Sequence, residues 1–425
     1  MKKYESYKDS GVGWIGKIPS HWNCVPFRRI AKVQCNLVRP SENLTMFQIS
    51  PDSIEKNSGK IIKTRTVEEA KVDSDNHRFY KGQILYSKIR PLLNKVTIAP
   101  YDGLCSADMY PISTIENTEY VMYYMLSEAF LSSVKNIVAD RVKMPKINQD
   151  ELKNTDFVIP PFSEQQVIVD YLKDKTLKIE QYVSARERER ELLDSLKQSE
   201  IANVVTKGLN PNVRMKDSGI FWVPQIPSHW KTTKLKHILV KLNREKSEDA
   251  ELLVCSNKGK VIKKGDTKMG LVADNNDIYQ GVCKGDLLIH GMDTWHGAIA
   301  ISDYDGMCTP VVHVCDSNQN KKFVAFYLQF MALSKVFKLI SNGVRQNTSD
   351  FRSWDKVGAI PIMLPPLEEQ QAIVDYIEAK LSKIDSCMAD LQAEIDYLKE
   401  FKQRLISDVV TGQICVAKPQ RGEQQ

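Results

Sequence analysis

Residues 160–172 read PPFSEQQVIVDYL, and residues 365–377 read PPLEEQQAIVDYI, with nine of thirteen positions identical at an offset of 205. Proline removes a ladder donor and is tolerated where a helix begins, so each Pro-Pro pair marks the end of a strand and the start of a helix. In the first copy Ser163 is placed as N-cap, with Gln166 three residues on completing a capping box. Downstream of the second copy, Ile377, Leu381, Ile384, Met388, Leu391, Ile395, Leu398, Phe401, Leu405 and Val409 step by threes and fours. A period near 3.5 over about four heptads predicts a coiled-coil seam. The first copy aligns as Leu172, Thr176, Ile179, Val183, Arg186, Arg190, Leu193, Leu196, Glu200 and Val204. Its polar middle, ARERERELLD at 185–194, reads as a solvated helix face. A helix of roughly 40 residues spans about 60 Å. Two such helices in one chain most simply pack on each other. Run antiparallel, they relate the two repeats by a pseudo-twofold axis.

Working outward, the rest of the frame is duplicated too. Residues 8–22, KDSGVGWIGKIPSHW, recur at 216–230 as KDSGIFWVPQIPSHW. Tyr101-Asp102-Gly103 recurs as Tyr304-Asp305-Gly306, and Val204-Val205-Thr206 as Val409-Val410-Thr411. The repeated Trp14, Trp22, Trp222 and Trp230 read as packing residues. Each repeat carries a Lys-Gly turn (Lys81-Gly82, Lys284-Gly285) before an apolar strand, then an amphipathic helix near 120–135 or 323–339. The interiors differ far more than the frame, which suits two versions of one task. The fold class that follows is α+β: two repeated α/β domains separated by two long helices in an antiparallel coiled coil.

The 425 residues are 42% hydrophobic and 26% charged, an ordinary globular composition with material for more than one core. Mean hydropathy is −0.35 and no run of about 18 apolar residues occurs, which argues against a transmembrane helix. The first residues are polar, unlike a signal peptide. Nine scattered cysteines without a CxxC pair fit a reducing cytoplasm better than a zinc ribbon or disulfide scaffold. Charge is uneven: residues 23–150 and 231–355 each carry 18 Lys+Arg against 14 Asp+Glu, whereas 368–414 carries 5 against 10. Two basic blocks suit a polyanion, because each neutralised phosphate releases counterions.

Enzyme signatures fail. Val158-Ile159-Pro160-Pro161-Phe162 lacks the Asn or Asp that an amino-methyltransferase motif needs at Ile159. No GxxxxGK[ST] is present, since Gly259 to Gly265 is followed by Asp266. The histidines form no HExxH, so no metal site is expected. Cys105 and Cys308 occupy matching apolar surroundings and read as buried packing. Asp52, Glu69 and Lys71 formally match PD…ExK, a metal-dependent nuclease pattern that the second repeat does not share. A stand-alone nuclease on those residues and a protein-only coiled-coil adaptor are the competing functions.

The leading K-D-S-G-x-x-W-x-x-x-I-P-S-H-W, the P-P-x-x-E-Q-Q-x-I-V-D-Y helix start and the repetition of the cycle resemble the specificity (S) subunit of type I restriction–modification systems, over essentially the whole chain. The resemblance implies target-recognition domains at 1–160 and 209–365, conserved helices at 161–208 and 366–414, and a tail at 415–425. It implies that each domain reads one half of a split site in double-stranded DNA. The helices would set the spacer and dock two modification (M) subunits. S-adenosylmethionine, ATP and Mg would belong to the M and restriction (R) partners, with no cofactor on this chain.

Within that reading, base-edge chemistry selects candidates in the variable interiors. Lys88, Arg90, Asn94 and Lys95 follow the first Lys-Gly strand, and Arg141, Lys143 and Lys146 precede the first Pro-Pro. The corresponding places in the second repeat hold His290, Asp293, Trp295 and His296, then Arg345, Gln346 and Asn347. Arg and Lys suit guanine, Gln and Asn suit adenine, and Asp accepts from cytosine N4. Arg65 and Lys263 are expected on phosphates.

Overall fold

The computed structural model describes residues 2–141, 143–247, 249–267, 278–341 and 351–416. The chain divides into two compact units: Met1–Glu187 with Ala393–Gln425, and Arg188–Gln392.

In the first unit, four antiparallel strands lie in the order Ala31–Val33, Met109–Thr114, Ile84–Ser87, Val96–Ile98. Side chains alternate across a strand. Ile84 and Tyr86 enter a core shared with Tyr120, Tyr124, Phe130 and Phe157, while Leu85 faces a second core with Ile49, Phe79 and Cys105. Burial on both faces is why this strand reads as an unbroken apolar run. Behind it lies a five-stranded sheet, ordered Leu37–Val38, Asn76–Phe79, Gly103–Cys105, Phe47–Ile49, Arg65–Thr66.

The second unit repeats the four-stranded order with Leu239–Lys241, Val312–Ser317, Leu287–His290 and Ile299–Ile301. Among the described residues its flanking layer is two two-stranded ladders, Leu253–Cys255 with Val261–Lys263 and Gln280–Val282 with Gly306–Cys308, linked by a bridge from Leu252 to Met307. In each unit a two-stranded ladder ties the segment after the Trp to the strand before Pro-Pro: Asn23–Pro26 with Asp156–Ile159, and Lys231–Lys234 with Pro361–Leu364.

Each expected single helix beyond the sheet is two helices. Thr118–Leu126 and Glu128–Val138 are separated by Ser127, extended at ψ 158 with its Oγ accepting from Phe130 N–H as an N-cap. Lys321–Leu333 and Val336–Ile340 are separated at Lys335, which is left-handed at φ 58. The repeated Asp102 and Asp305 have a definite role: each accepts the backbone N–H of its Lys-Gly turn, Lys81 or Lys284, at 2.8 Å.

The proximal helix, Phe162–Lys207, and the distal helix, Leu367–Val410, pair antiparallel. In the first unit Glu180 meets Lys402 (3.2 Å), Glu187 meets Lys399 (2.9 Å) and Arg186 meets Glu394 (3.0 Å). In the second, Arg190 donates to Gln392, Lys197 meets Asp385 (2.7 Å) and Lys380 meets Glu200 (3.5 Å). All ten distal seam positions are buried or half-buried. The polar stretch is not merely a solvated face, since Arg186 and Arg190 project into the seam toward Glu394 and Gln392. Leu196 departs from its expected seam place and is 42% exposed, with Lys197 turned to the partner helix instead.

The repeated motifs explain one another. The carboxylate of Glu164 accepts from Trp22 Nε1 (3.0 Å) and Tyr4 Oη (2.5 Å) and lies 2.9 Å from His21 Nε2. Glu369 meets Trp230 Nε1 (3.1 Å) and His229 Nε2 (2.7 Å) in the same way. Buried Gln165 accepts Asn117 N–H (3.0 Å) and donates to the Pro160 carbonyl (3.0 Å); Gln370 repeats this with Asn320 and Pro365. Gln166 and Gln371 accept from the Asn117 and Asn320 side chains. Ser163 is therefore not the N-cap. The helix starts at Phe162, and the N–H groups of Glu164 and Gln165 reach the Pro161 carbonyl. Trp22 and Trp230 are fully buried and Trp222 reaches Tyr327 Oη (3.3 Å), but Trp14 is 46% exposed.

Candidate nucleic-acid interface

In the first unit the strand Ile84–Ser87 runs out into Lys88, whose carbonyl accepts Ile147 N–H (2.9 Å). Ile89 bridges Lys146, and Arg90 N–H donates to the Pro145 carbonyl (2.8 Å). The two loops picked from sequence are thus knitted edge to edge. Arg90, Lys143 and Lys146 are exposed on this joint edge. Lys88 is half-buried, its Nζ 5.5 Å from the Tyr110 ring centroid. Arg90 has a left-handed backbone, φ 44, at the start of the turn Pro91–Leu93.

Other candidates are used internally. Arg141 forks onto Glu151, holding that carboxyl below the usual range, and also donates to the Lys146 carbonyl. Lys95 Nζ donates to the Pro51 carbonyl at 2.6 Å. Asn94 is only 1% exposed. Arg65 is exposed on the edge strand of the five-stranded sheet.

The second unit builds the same junction from different residues. Gly291 N–H donates to the Val311 carbonyl (2.9 Å), as Lys88 does to Asp108 (2.9 Å), and Gly291 O accepts Phe351 N–H (3.1 Å). Gly291 therefore corresponds to Lys88, and Asp293 to Arg90. A Cβ on Gly291 would meet Arg352 Cα and the Phe351 carbonyl at 2.9 Å, so only glycine allows the loops to close. His290 is half-buried, its Nδ1 accepting Asp293 N–H at 3.1 Å; burial lowers its pKa against the pull of Asp293. Asp293 and His296 remain open to solvent, with side chains 43% and 45% exposed. Trp295 packs on the core, with Lys338 Nζ 5.6 Å from its ring. Lys263 pairs with Glu251 (2.7 Å) over the Tyr304 ring. Arg345, Gln346 and Asn347 lie outside the described residues.

The sequence model of the type I restriction modification DNA specificity domain matches residues 43–185 and 227–397, more than half of the chain. The chain belongs to this family. A stretch of 155 residues is 41% identical to the type I restriction enzyme EcoDI specificity subunit of Escherichia coli, covering 36% of this chain and 35% of that subunit, about a third of its length. Over 97% of this chain and 98% of the relative, identity is 25% to the putative type I restriction enzyme MjaX specificity subunit of Methanocaldococcus jannaschii. A chain solved in work on complex assembly and conformational transition of the type I R-M system shares the fold with TM-score 0.71 at 14% identity, covering 93% of this chain and 99% of that one.

Specificity subunits of this family are non-catalytic DNA-recognition chains. The competing nuclease reading of Asp52, Glu69 and Lys71 is not supported. Glu69 accepts Thr66 N–H (2.9 Å) in a capping box around Val67–Ala70, and Lys71 is that helix's left-handed C-cap. Among the described residues, no group of three or more His, Cys, Asp or Glu is placed to hold a metal ion. No helix among them is long and apolar enough to cross a membrane. Cys105 and Cys308 are buried, and burial pushes the Cys308 thiol up to about 12. Sequence reasoning missed the turn-capping Asp102 and Asp305 and the carboxylates of Glu164 and Glu369. Their signal was present as repeated letters, without any hint of which motif each would meet.

Proposed function

We propose that each repeat reads one half of a split, asymmetric site in double-stranded DNA. The domain boundaries are those given by the repeats, 1–160 and 209–365, with 161–208 and 366–414 as the helices. The observation that carries this reading is the shared loop junction: one backbone scaffold presents Arg90, Lys143 and Lys146 in one repeat and Asp293 and His296 in the other. Arg90 matches a guanine edge and Asp293 a cytosine N4 donor, so the half-sites differ. Arg65 and Lys263 are assigned to phosphates, which position without specifying. Lys88, Lys95, Arg141, His290 and Trp295 shape the loops. Arg345, Gln346 and Asn347 are assigned to base reading in the second half-site by residue type alone.

The paired helices set spacer length and dock two modification subunits, which bind S-adenosylmethionine and methylate DNA. Restriction subunits with ATP and Mg complete the assembly in the cytoplasm. Selection of sites from random duplex DNA by the chain assembled with its modification subunits tests this. A bipartite, asymmetric site is the expected result, and an undivided site overturns it.

A further inference from the structure

We infer that Asn57 and Gln403 form a positioning relay that registers the first reading loop against the helix pair; this rests on the two-reader function above. Residues 54–61 form a small hairpin, with Ile54 bridging Ile61 and Glu55 N–H donating to the Lys60 carbonyl at 2.9 Å. Its tip is wedged between the recognition domain and the helices. On the domain side, Thr97 Oγ1 donates to the Gly59 carbonyl (2.7 Å), and a Cβ on Gly59 would touch Met122 Sδ at 3.5 Å. On the helix side, Lys60 Nζ lies 2.7 Å from Glu180, which also pairs with Lys402, and Gln403 Nε2 donates to the Asn57 carbonyl at 2.7 Å.

From Asn57 the chain of bonds continues to the reading edge. Asn57 N–H donates to the Asn94 carbonyl (3.3 Å), and Asn94 N–H to the Pro91 carbonyl (2.9 Å). Leu93 N–H donates to the Arg90 carbonyl (2.8 Å), and Arg90 N–H to Pro145 (2.8 Å). Asn57, Arg90 and Asn94 all hold left-handed backbones, at φ 56, 44 and 46. Asparagine tolerates that region but arginine rarely occupies it, so surrounding bonds must fix Arg90 above all. Asn94 is thereby a positioning residue and not a base reader: buried, it transmits where the distal helix lies to the turn that presents Arg90. The corresponding turn of the second unit is held by Ser256, whose N–H and Oγ both bond to Lys260 O at 2.9 and 2.8 Å.

The test selects sites from random duplex DNA with the chain assembled with its modification subunits, as the native sequence, Gln403→Met and Gln403→Lys. Gln403→Met keeps length but deletes the donor. Base discrimination in the first half-site should fall about 2- to 30-fold, with the second half-site and the melting temperature unmoved. Gln403→Lys, which restores an N–H donor, should recover most of it. Hydrogen exchange should quicken at Asn57, Leu93 and Asn94 in Gln403→Met before it does in the strand Ile84–Ser87. If Gln403→Met does not assemble, Lys60→Met, which breaks the exposed pair to Glu180, is read the same way. A first half-site unchanged in the variant, or equal loss in both half-sites, overturns the relay alone. A native chain that selects no split site overturns the two-reader function and the relay with it.

Discussion

Trp22 donates its indole N–H to the carboxylate of Glu164 at 3.0 Å, across 142 positions of sequence. The indole is fully buried, and Tyr4 Oη shares the same acceptor. Burial and the neighbouring carboxylate push the Tyr4 phenol well above its ordinary range, so it stays a donor. Glu164→Ala strands these donors, and each buried unsatisfied group costs about 1–3 kcal/mol. Glu164→Gln keeps an acceptor and should lose less. Urea unfolding of the two variants checks the ranking. Glu369→Ala should show a smaller loss than Glu164→Ala, because Asn212 stands where the first repeat has Tyr4.

Each long helix ends on a left-handed glycine beside the tryptophan of a leading segment, Gly208 near Trp230 and Gly412 near Trp22, both at φ 75. A Cβ in that backbone conformation costs about 1–2 kcal/mol in either place. The surroundings then separate them. At Gly412 the Cβ would stand 2.3 Å from the Pro19 ring, which is fixed, whereas at Gly208 it would stand 3.0 Å from the tip of Glu369, which can turn aside. Gly412→Ala should therefore lower the thermal midpoint more than Gly208→Ala. Equal shifts would mean that the Pro19 contact is relieved without cost.

The frame was legible in the sequence because two copies of it survive and because its chemistry is periodic. The distal seam could be named residue by residue, since apolar side chains at steps of three and four have one way to be buried. The proximal helix was less legible, because Arg186, Arg190 and Lys197 serve in the seam through their pairing partners, and pairing leaves no periodic mark. Trp14 and Trp222 share a motif position, yet one is solvent-facing and the other packs at Tyr327. In the candidate site, residue type separated polar from apolar but not exposed from buried. Asn94 and Arg90 lie four residues apart on one turn, and only the fold shows that one points inward.

Acidification should weaken the second unit through a buried histidine. His313 is 1% exposed, with Nε2 2.7 Å from the Phe351 carbonyl. Burial is the main cause that lowers its pKa; the Phe351 carbonyl opposes it, and Lys241 and His290 reinforce it. Above the ordinary value of about 6.5, folded and unfolded chains are both neutral at this residue and no stability depends on pH. Below it the unfolded chain binds the proton first, so stability falls as pH drops toward the lowered folded value. The urea midpoint should decline between pH 7 and pH 5, and His313→Gln should flatten that decline. An unchanged slope in the variant would assign the effect to other groups.

Arg90→Ala should weaken specific binding by about 1–3 kcal/mol and relax a single base position in the first half-site. Asp293→Ala should do the same in the second half-site only. Lys143→Ala, at an exposed place on the same edge, should lower affinity for all sequences alike and reduce the salt slope by about one charge. Competition binding with single-base variants of the selected site distinguishes these outcomes. Loss at the second half-site from Arg90→Ala would break the assignment of one reader to one half-site.

Inserting four residues after Ala185 in the proximal helix, with four more opposite them after Glu394, adds about one turn to each helix, or roughly 6 Å at 1.5 Å per residue. Both insertions are needed, because Arg186 and Glu394 face each other and a one-sided insertion would slide the seam out of register. One base pair occupies about 3.4 Å of duplex, so the paired insertion should lengthen the selected spacer by one or two base pairs. The bases of the half-sites should not change, since no reading loop is altered. A spacer of unchanged length would show that the helices do not measure the DNA, whatever else they dock. Loss of binding by the one-sided insertion, alongside retained binding by the paired one, would trace the measurement to the registered pair and not to either helix alone.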